Sequence, residues 1–168
     1  NERHVFGHWE IDLVLGGKEK GPATLLTLTE RKTRTIIARK LKDKTQASVL
    51  QAINRIERSM GAKAFRNRFK SITADNGSEF LNADGIEKSA TTKQKRTTIY
   101  YAHPYSSWER GSNENANRML RRFFKKGCDF TKVRQKKIDE VVEWINNYPR
   151  RILNFKTAEE LFIQEIAA

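Results

Sequence analysis

Apolar residues recur along this 168-residue chain with two different periods, and the change of period divides it into elements. "HWEIDLVLG" (8–16) and "ATLLTLT" (23–29) are apolar, β-branched runs separated by the Gly- and Lys-rich turn "GKEKGP", and "RTIIARKL" (34–41) follows a second charged turn. Three consecutive strands in an antiparallel meander are predicted. From Thr45 to Met60 the spacing changes: Val49, Leu50, Ile53 and Ile56 recur every three or four residues until Gly61, as on the buried face of a helix. "FKSITAD" (69–75), closed by the turn dipeptide Asn76-Gly77, and "TTIYYA" (97–102) read as further strands, with a short helix near 79–90 between them. Ala116, Met119, Leu120, Phe123 and Phe124 then form one helical stripe, and Ile138, Val141, Val142 and Ile145 a second. Thr157 with Glu160 spells a capping box that opens a last helix. The order β-β-β-α-β-α-β, followed by helices, implies an α/β sheet with helices packed on it. The basic, Thr-rich segment 86–98 is the most loop-like and is expected to be mobile.

Charge narrows the class of partner. Lys and Arg number 33 against 20 Asp and Glu, a net charge of +13, which favours a polyanion such as nucleic acid over a neutral metabolite. Cys128 is the only cysteine, so intramolecular disulfides and paired-cysteine zinc sites are excluded; it reads as a small apolar filler in a reducing compartment. No apolar run approaches the roughly 18–20 residues that cross a bilayer, and the start "NERHVFGHWEID" lacks a signal peptide's apolar segment, so a cytoplasmic protein is expected. The abrupt opening into strand-like sequence adds the expectation that an N-terminal part precedes it in the natural protein.

The candidate chemistry lies in carboxylates. Strand alternation puts Trp9, Ile11 and Leu13 on one face of the first strand and Glu10, Asp12 and Val14 on the other. An acid in so apolar a strand is expensive to bury unless paired or bound to a metal. Asp75 ends the strand "SITA" and starts the turn "DNG", where Asp is also common for backbone reasons. Taken singly, each has a bland explanation. Together with a later glutamate they would meet the need of hard divalent cations for several oxygen ligands, in a chain positive enough to hold a phosphodiester backbone.

Three stretches read together, "HWEIDLV", "ITADNGSEF" and "HPYSSWERGSNENANRMLRRF", followed by "NNYPRRILNFKTAEELF", resemble the catalytic domain of IS30-family bacterial insertion-sequence transposases. These belong to the DDE transposase and retroviral integrase superfamily. The resemblance runs from about His8 to Phe162, and "DNGSEF" and "WERGSNEN" are its specific strings. It implies an RNase H-like fold of the retroviral integrase type, a mixed five-stranded sheet flanked by helices, with residues 1–168 as a single domain. It implies a three-carboxylate site binding two Mg²⁺ ions, for which Mn²⁺ may substitute. The implied activity is cleavage of transposon ends and joining of the freed 3′ hydroxyls to target DNA, without a covalent protein–DNA intermediate. DNA and further copies of the chain, as a homodimer or higher oligomer, are the implied partners, at the nucleoid in the bacterial cytosol. The helix-turn-helix region that reads terminal repeats in the family has no match here. Two departures, Lys125 for proline and Ala158 after Thr157 in place of "TP", touch none of the acids.

Two glutamates compete for third acid. On one continuous helix Glu109 and Glu114 point about 140° apart. Glu109 projects toward the apolar stripe; Glu114 lies with Asn117, Arg118, Arg121 and Lys125 on the basic side. Ser112 as N-cap would put Glu114 in the first turn, where the helix dipole favours an anion. Ser106 with Glu109 fits a capping box if the helix starts earlier. By resemblance, Gly111 aligned with the glycine three residues before the integrase glutamate selects Glu114. The family's usual spacing from Asp75 selects Glu109, with 33 residues between where Glu114 leaves 38. Asp12, Asp75 and Glu114 are the expected catalytic and metal-binding acids, with Glu109 the alternative.

Between Arg110 and Lys137 stand ten Lys or Arg and two acids, the footprint of a DNA backbone. Trp108, Arg110, Asn117, Arg118, Arg121, Arg122 and Lys125 are the expected DNA contacts, and His103, Tyr105 and Trp108 are candidates to stack on an unpaired base. Two rival readings stay open: a related RNase H-like nuclease or integrase acting on another substrate, and a basic DNA-binding module without chemistry.

Overall fold

β1 (His8–Leu15), β2 (Thr24–Glu30) and β3 (Ile36–Leu41) form the antiparallel meander that alternation predicts. β4 (Ser71–Ala74) and β5 (Thr98–Tyr101) add in parallel on the other side of β1, giving one mixed five-stranded sheet of order β3-β2-β1-β4-β5. The structure, a computed structural model, describes residues 2–168, apart from the side chains of Glu2, Ser107 and Trp108.

The period of two sorts side chains between the faces of the sheet. Trp9, Ile11 and Leu13 of β1 and Leu26 and Leu28 of β2 meet α1 (Gln46–Met60), α2 (Ala62–Arg68) and α3 (Ala83–Glu87) through Val49, Ile53, Ile56, Phe65 and Ile86. Val14, Leu25, Ile36 and Ala38 meet α4 (Gly111–Leu120) and α5 (Gln135–Asn146) through Ala116, Leu120, Ile138, Val141 and Ile145. At about 1.5–3 kcal/mol for each fully buried Val, Leu or Ile, these two layers are the main drive to fold. Trp9, wholly buried, stacks on Phe69 with ring centroids 4.4 Å apart and donates its indole N–H to the Arg68 carbonyl at 2.7 Å.

β3 is an edge strand, and α5 seals it. The Asn146 side chain accepts from the Ile36 N–H at 2.9 Å and donates to the Ile36 carbonyl at 3.0 Å. Gln135 accepts from the Lys40 N–H at 2.8 Å and donates to the Ala38 carbonyl at 3.1 Å. Two side-chain amides thus imitate a sixth strand.

Several local expectations change. The helical pattern stops at Gly61, as predicted, but α2 begins at once; with Phe65 as its one buried residue it has no readable stripe. The helix expected near 79–90 is a 3-10 turn (Ser78–Phe80) followed by α3, whose start Asn82 caps by accepting from the Gly85 N–H. The segment 86–98, expected to be mobile, is pinned by Arg96. That side chain is buried, donates to the carbonyls of Ile86 and Gly85 and to Asn54, and lies 3.4 Å from Glu57. The first C-terminal stripe breaks where α4 ends: Phe124 is buried, whereas Phe123 is exposed, edge-on to Trp144. The predicted capping box opens α6 (Ala158–Ala167), Glu160 N–H to Thr157 at 3.1 Å and Thr157 N–H to Glu160 at 2.8 Å. Among the described residues no helix is long and apolar enough to cross a membrane.

Candidate active site and nucleic-acid interface

Register brings two of the predicted acids together. β1 and β4 run parallel with Glu10 opposite Thr73. Continued by two residues, the same register sets Asp75, just past the end of β4, beside Asp12, and strand parity turns both toward the α4 face. Their carboxylates share one cation, because Arg110 Nη1 lies 3.9 Å from Asp12 Oδ1 and 3.6 Å from Asp75 Oδ2. Asp12 also accepts from the Leu13 N–H at 2.9 Å and from Asn117 Nδ2 at 3.0 Å. Burial pushes the Asp12 carboxyl above its ordinary range and the charge of Asp75 adds to this, against the Leu13 amide, Arg110 and Asn117. Asp75 accepts from the Gly77 N–H at 2.8 Å. A Cβ on Gly77 would stand 2.6 Å from Glu79 Oε1 and 2.8 Å from Asp75 Oδ1, so a larger residue there would have to push these carboxylates aside.

α4 lies over β1 and β2 in step with them. Residues four apart on a helix rise about 6 Å, and residues two apart on a strand about 6.6 Å. The Asn113 N–H donates to Glu10 Oε2 at 3.1 Å, and its side-chain oxygen accepts from Thr29 at 3.3 Å. One step further, Asn117 donates to Asp12 and accepts from Thr27 at 3.4 Å. Glu10 is paired with Thr29, and Asp12 with Thr27, across the two strands. Each polar strand pair therefore meets one asparagine of α4.

The helix starts at Gly111, directly after a 3-10 turn (Ser107–Arg110), so Ser112 is inside the first turn rather than its N-cap; its hydroxyl accepts from Arg34. Lys125 consequently lies beyond the end of α4 and not on its face. Glu114 is 69% exposed, with its carboxylate 3.6 Å from Arg118. Asn117, three residues further along the same helix, reaches β1, but the Glu114 side chain is turned outward. Among the described residues no three His, Cys, Asp or Glu side chains are gathered closely enough to hold a metal ion. Glu109 stands in the 3-10 turn, on a different element from Glu114. Its carboxylate accepts from the His103 N–H and pairs with the His103 ring, both at 2.9 Å, and these bonds hold it below its ordinary range. Ser106 supplies no side-chain cap to that turn.

The other candidates divide by what already holds them. Asn117 and Arg110 are engaged with the aspartates, and Arg121 donates to the Leu15 carbonyl at 2.9 Å at the end of β1. Arg118 faces Glu114, whereas Arg122 and Lys125 are exposed. The stacking expected of Trp108 falls outside the described side chains. Tyr105 is wholly exposed at a positive φ of 62° and, with Asn76, His103 and Arg110, walls a cavity of about 450 Å³ that opens beside Asp75.

A donor set of carboxylate oxygens already spanned by a guanidinium suits a hard divalent cation in type. Sequence reading missed the residues behind this site. Glu10, 1% exposed, was visible only as a second acid on the Asp12 face; burial raises its carboxyl, opposed first by Arg31. Arg31 donates to the Glu109 carbonyl at 2.8 Å from the β2–β3 turn, a contact that no local pattern announces.

Known proteins resemble this chain in sequence and in fold. Residues 2–107 match the model of the integrase core domain. Over 96% of its length the chain is 42% identical to a probable transposase for insertion-like sequence element IS1161 of Streptococcus salivarius, and covers 43% of that protein. It is 37% identical over 96% of its length to the transposase for insertion sequence element IS4351 of Bacteroides fragilis, covering 46% of it. To the transposase InsI for insertion sequence element IS30C of Escherichia coli it is 36% identical over 99% of its length, covering 40%. The chain thus spans less than half the length of these relatives. Among solved structures, the catalytic core domain of BIV integrase superposes with a TM-score of 0.67 at 17% identity, covering 96% of both chains. A chain of a simian T-cell lymphotropic virus intasome does so with a TM-score of 0.69 at 17% identity, over 94% of this chain and 55% of that one. These likenesses show the fold, the integrase type of RNase H-like sheet.

Proposed function

The chain belongs to the integrase core domain family, and on that premise we propose that it is the catalytic domain of a DNA transposase, cutting transposon ends and joining them to target DNA. The observation that carries this reading is the pair Asp12 and Asp75, delivered by parallel strands to one end of the sheet and sharing a single cation. Asp12, Asp75 and Glu114 would hold two Mg²⁺ ions, or Mn²⁺ in their place, with Glu109 the alternative third acid. Bound there, such ions neutralise clustered negative charge and polarise the scissile P–O bond.

The chain's own residues supply the rest. Asn117 fixes one oxygen of Asp12 and leaves the other toward Arg110 and Asp75. Glu114 joins the aspartates by leaving Arg118, which frees that guanidinium for a phosphate. Arg118, Arg122 and Lys125 extend a positive track past the site, giving contacts that position DNA without reading its sequence. The cavity walled by His103 and Tyr105 accepts the nucleotide next to the scissile bond, where Tyr105 offers a ring for stacking. Assembly on DNA as a homodimer or higher oligomer in the bacterial cytosol belongs to the same reading.

The test uses the full-length protein on DNA bearing the element's ends. Asp12→Asn, Asp75→Asn and Glu114→Gln are each expected to abolish Mg²⁺-dependent cleavage and joining, with Glu109→Gln active. Activity in Glu114→Gln with loss in Glu109→Gln moves the third acid to Glu109, and hydrolysis without joining favours a nuclease. The outward turn of Glu114, with no three acids gathered among the described residues, favours a DNA-binding module without chemistry; loss of activity in all three acid variants removes that reading.

A further inference from the structure

α4 begins without a cap of its own. Arg110 precedes it and makes no side-chain bond to the first turn, although the first N–H groups of any helix lack partners within it. The missing acceptor comes from the sheet: Glu10 Oε2 accepts from the N–H of Asn113, the third residue of the helix, at 3.1 Å. A carboxylate at this end also faces the positive end of the helix dipole. Around it, Arg31 Nε stands 4.0 Å from Glu10 Oε1 while its guanidinium donates to the Glu109 carbonyl, and Arg34 donates to Ser112. The turn that carries these arginines is itself held by the buried Glu30, which accepts from the N–H groups of Lys32 and Thr33 and from the Thr33 hydroxyl.

The geometry points to Glu10 as a positioning residue: a buried carboxylate on β1 that fixes the first turn of α4 at a set height over Asp12. Glu10 is two residues from Asp12 on the same strand face, and its partner Asn113 is the immediate neighbour of Glu114. This side chain therefore ties the strand that bears the first acid to the helix turn that bears the third, by a bond to the backbone of that turn. Its bearing on catalysis rests on the reading of Glu114 as that third acid; the tether itself does not.

Hydrogen exchange on the 168-residue chain tests the tether, with Mn²⁺ alone as the probe of the acid site. In Glu10→Gln, which keeps shape and loses charge, the Asn113 amide is expected to exchange at least tenfold faster while the β2 amides 25–28 keep their protection. Mn²⁺ affinity, followed by electron paramagnetic resonance, falls about tenfold in the same variant, and Glu10→Asp, whose carboxylate is one methylene short, falls with it. Unchanged exchange at Asn113, or faster exchange spread evenly through β1, β2 and α5, overturns the proposal. If Glu10→Gln does not fold, Ser112→Ala serves: it removes the hydroxyl between Glu10 and Arg34, and faster exchange confined to 112–114 is again required. Mn²⁺ binding by Glu114→Gln at unaltered strength would remove the third-acid reading, while Asn113 exchange still decides the tether.

Discussion

Asn117 donates its side-chain N–H to Asp12 at 3.0 Å, and through this bond the helix reports the position of the strand. The same amide accepts from Thr27, so its orientation is set on both sides, and the Asp12 carboxylate is held in one rotamer before any ligand arrives. An acid so held, yet pushed above its ordinary range by burial, is a group whose charged form the fold tolerates at a cost.

Asp12→Asn is therefore expected to raise stability by roughly 1 kcal/mol at neutral pH while abolishing catalysis. Because burial raises the folded-state value above 3.8, the ionised aspartate is disfavoured at neutral pH, and the advantage of asparagine fades as pH falls through the raised value toward 3.8. Urea denaturation of both proteins at pH 7 and below pH 4 checks the magnitude and its disappearance.

Arg110 behaves as a resident counter-ion. At an effective dielectric near 20, unit charges about 4 Å apart interact by about 4 kcal/mol, and solvent around a side chain 27% exposed reduces this. Arg110→Gln should bind Mn²⁺ about tenfold more tightly, since a cation need no longer displace the guanidinium. Calorimetric titration with Mn²⁺ reads this out; unchanged affinity would mean that Arg110 does not compete for the site.

Salt dependence separates the exposed cations from the engaged ones. Arg122→Ala and Lys125→Ala should each flatten the plot of log affinity for duplex DNA against log salt by about 0.9, the loss of one phosphate contact. Arg121→Ala should leave that slope nearly unchanged and instead loosen the end of β1, where the side chain holds the Leu15 carbonyl.

Arg96 tests the other side of the molecule. Arg96→Ala strands Glu57 as a buried, uncompensated charge and frees two backbone carbonyls, an expected loss of about 3–5 kcal/mol in chemical denaturation. DNA affinity of the folded fraction should not change.

Glu109 predicts a pH response of the loop before α4. Hydrogen bonds from His103 depress its carboxyl, so the loop's closure is present above pH 4.5 and is lost as pH falls through the lower folded value. The side-chain carbonyl resonance of Glu109 should titrate below 4.5, and Glu109→Gln should remove the accompanying change at the His103 amide.

What was legible in the sequence was what short range decides. The period of two placed Glu10, Asp12 and Val14 on one face, the Thr157–Glu160 spacing marked the start of α6, and the meander followed from three strand runs with short turns between them. That Asp75 would stand beside Asp12 was an inference from chemistry; the parallel register of β1 and β4, fixed by packing between residues more than sixty apart, is what delivers it. The start of α4 was misplaced because a 3-10 turn runs into it without a cap signal, and this also removed the angular argument between Glu109 and Glu114. Glu10 and Arg31 carried no motif, since their partners are a backbone amide and a carbonyl about eighty to one hundred residues away.

The amides of Asn146 and Gln135 along β3 have a bearing on how copies of the chain associate. A free margin of that length would template another strand, and crowded copies would then be prone to zip into ribbons. With these backbone groups occupied, a further strand finds no free ladder along β3, and a second copy meeting that flank would have to do so through side chains.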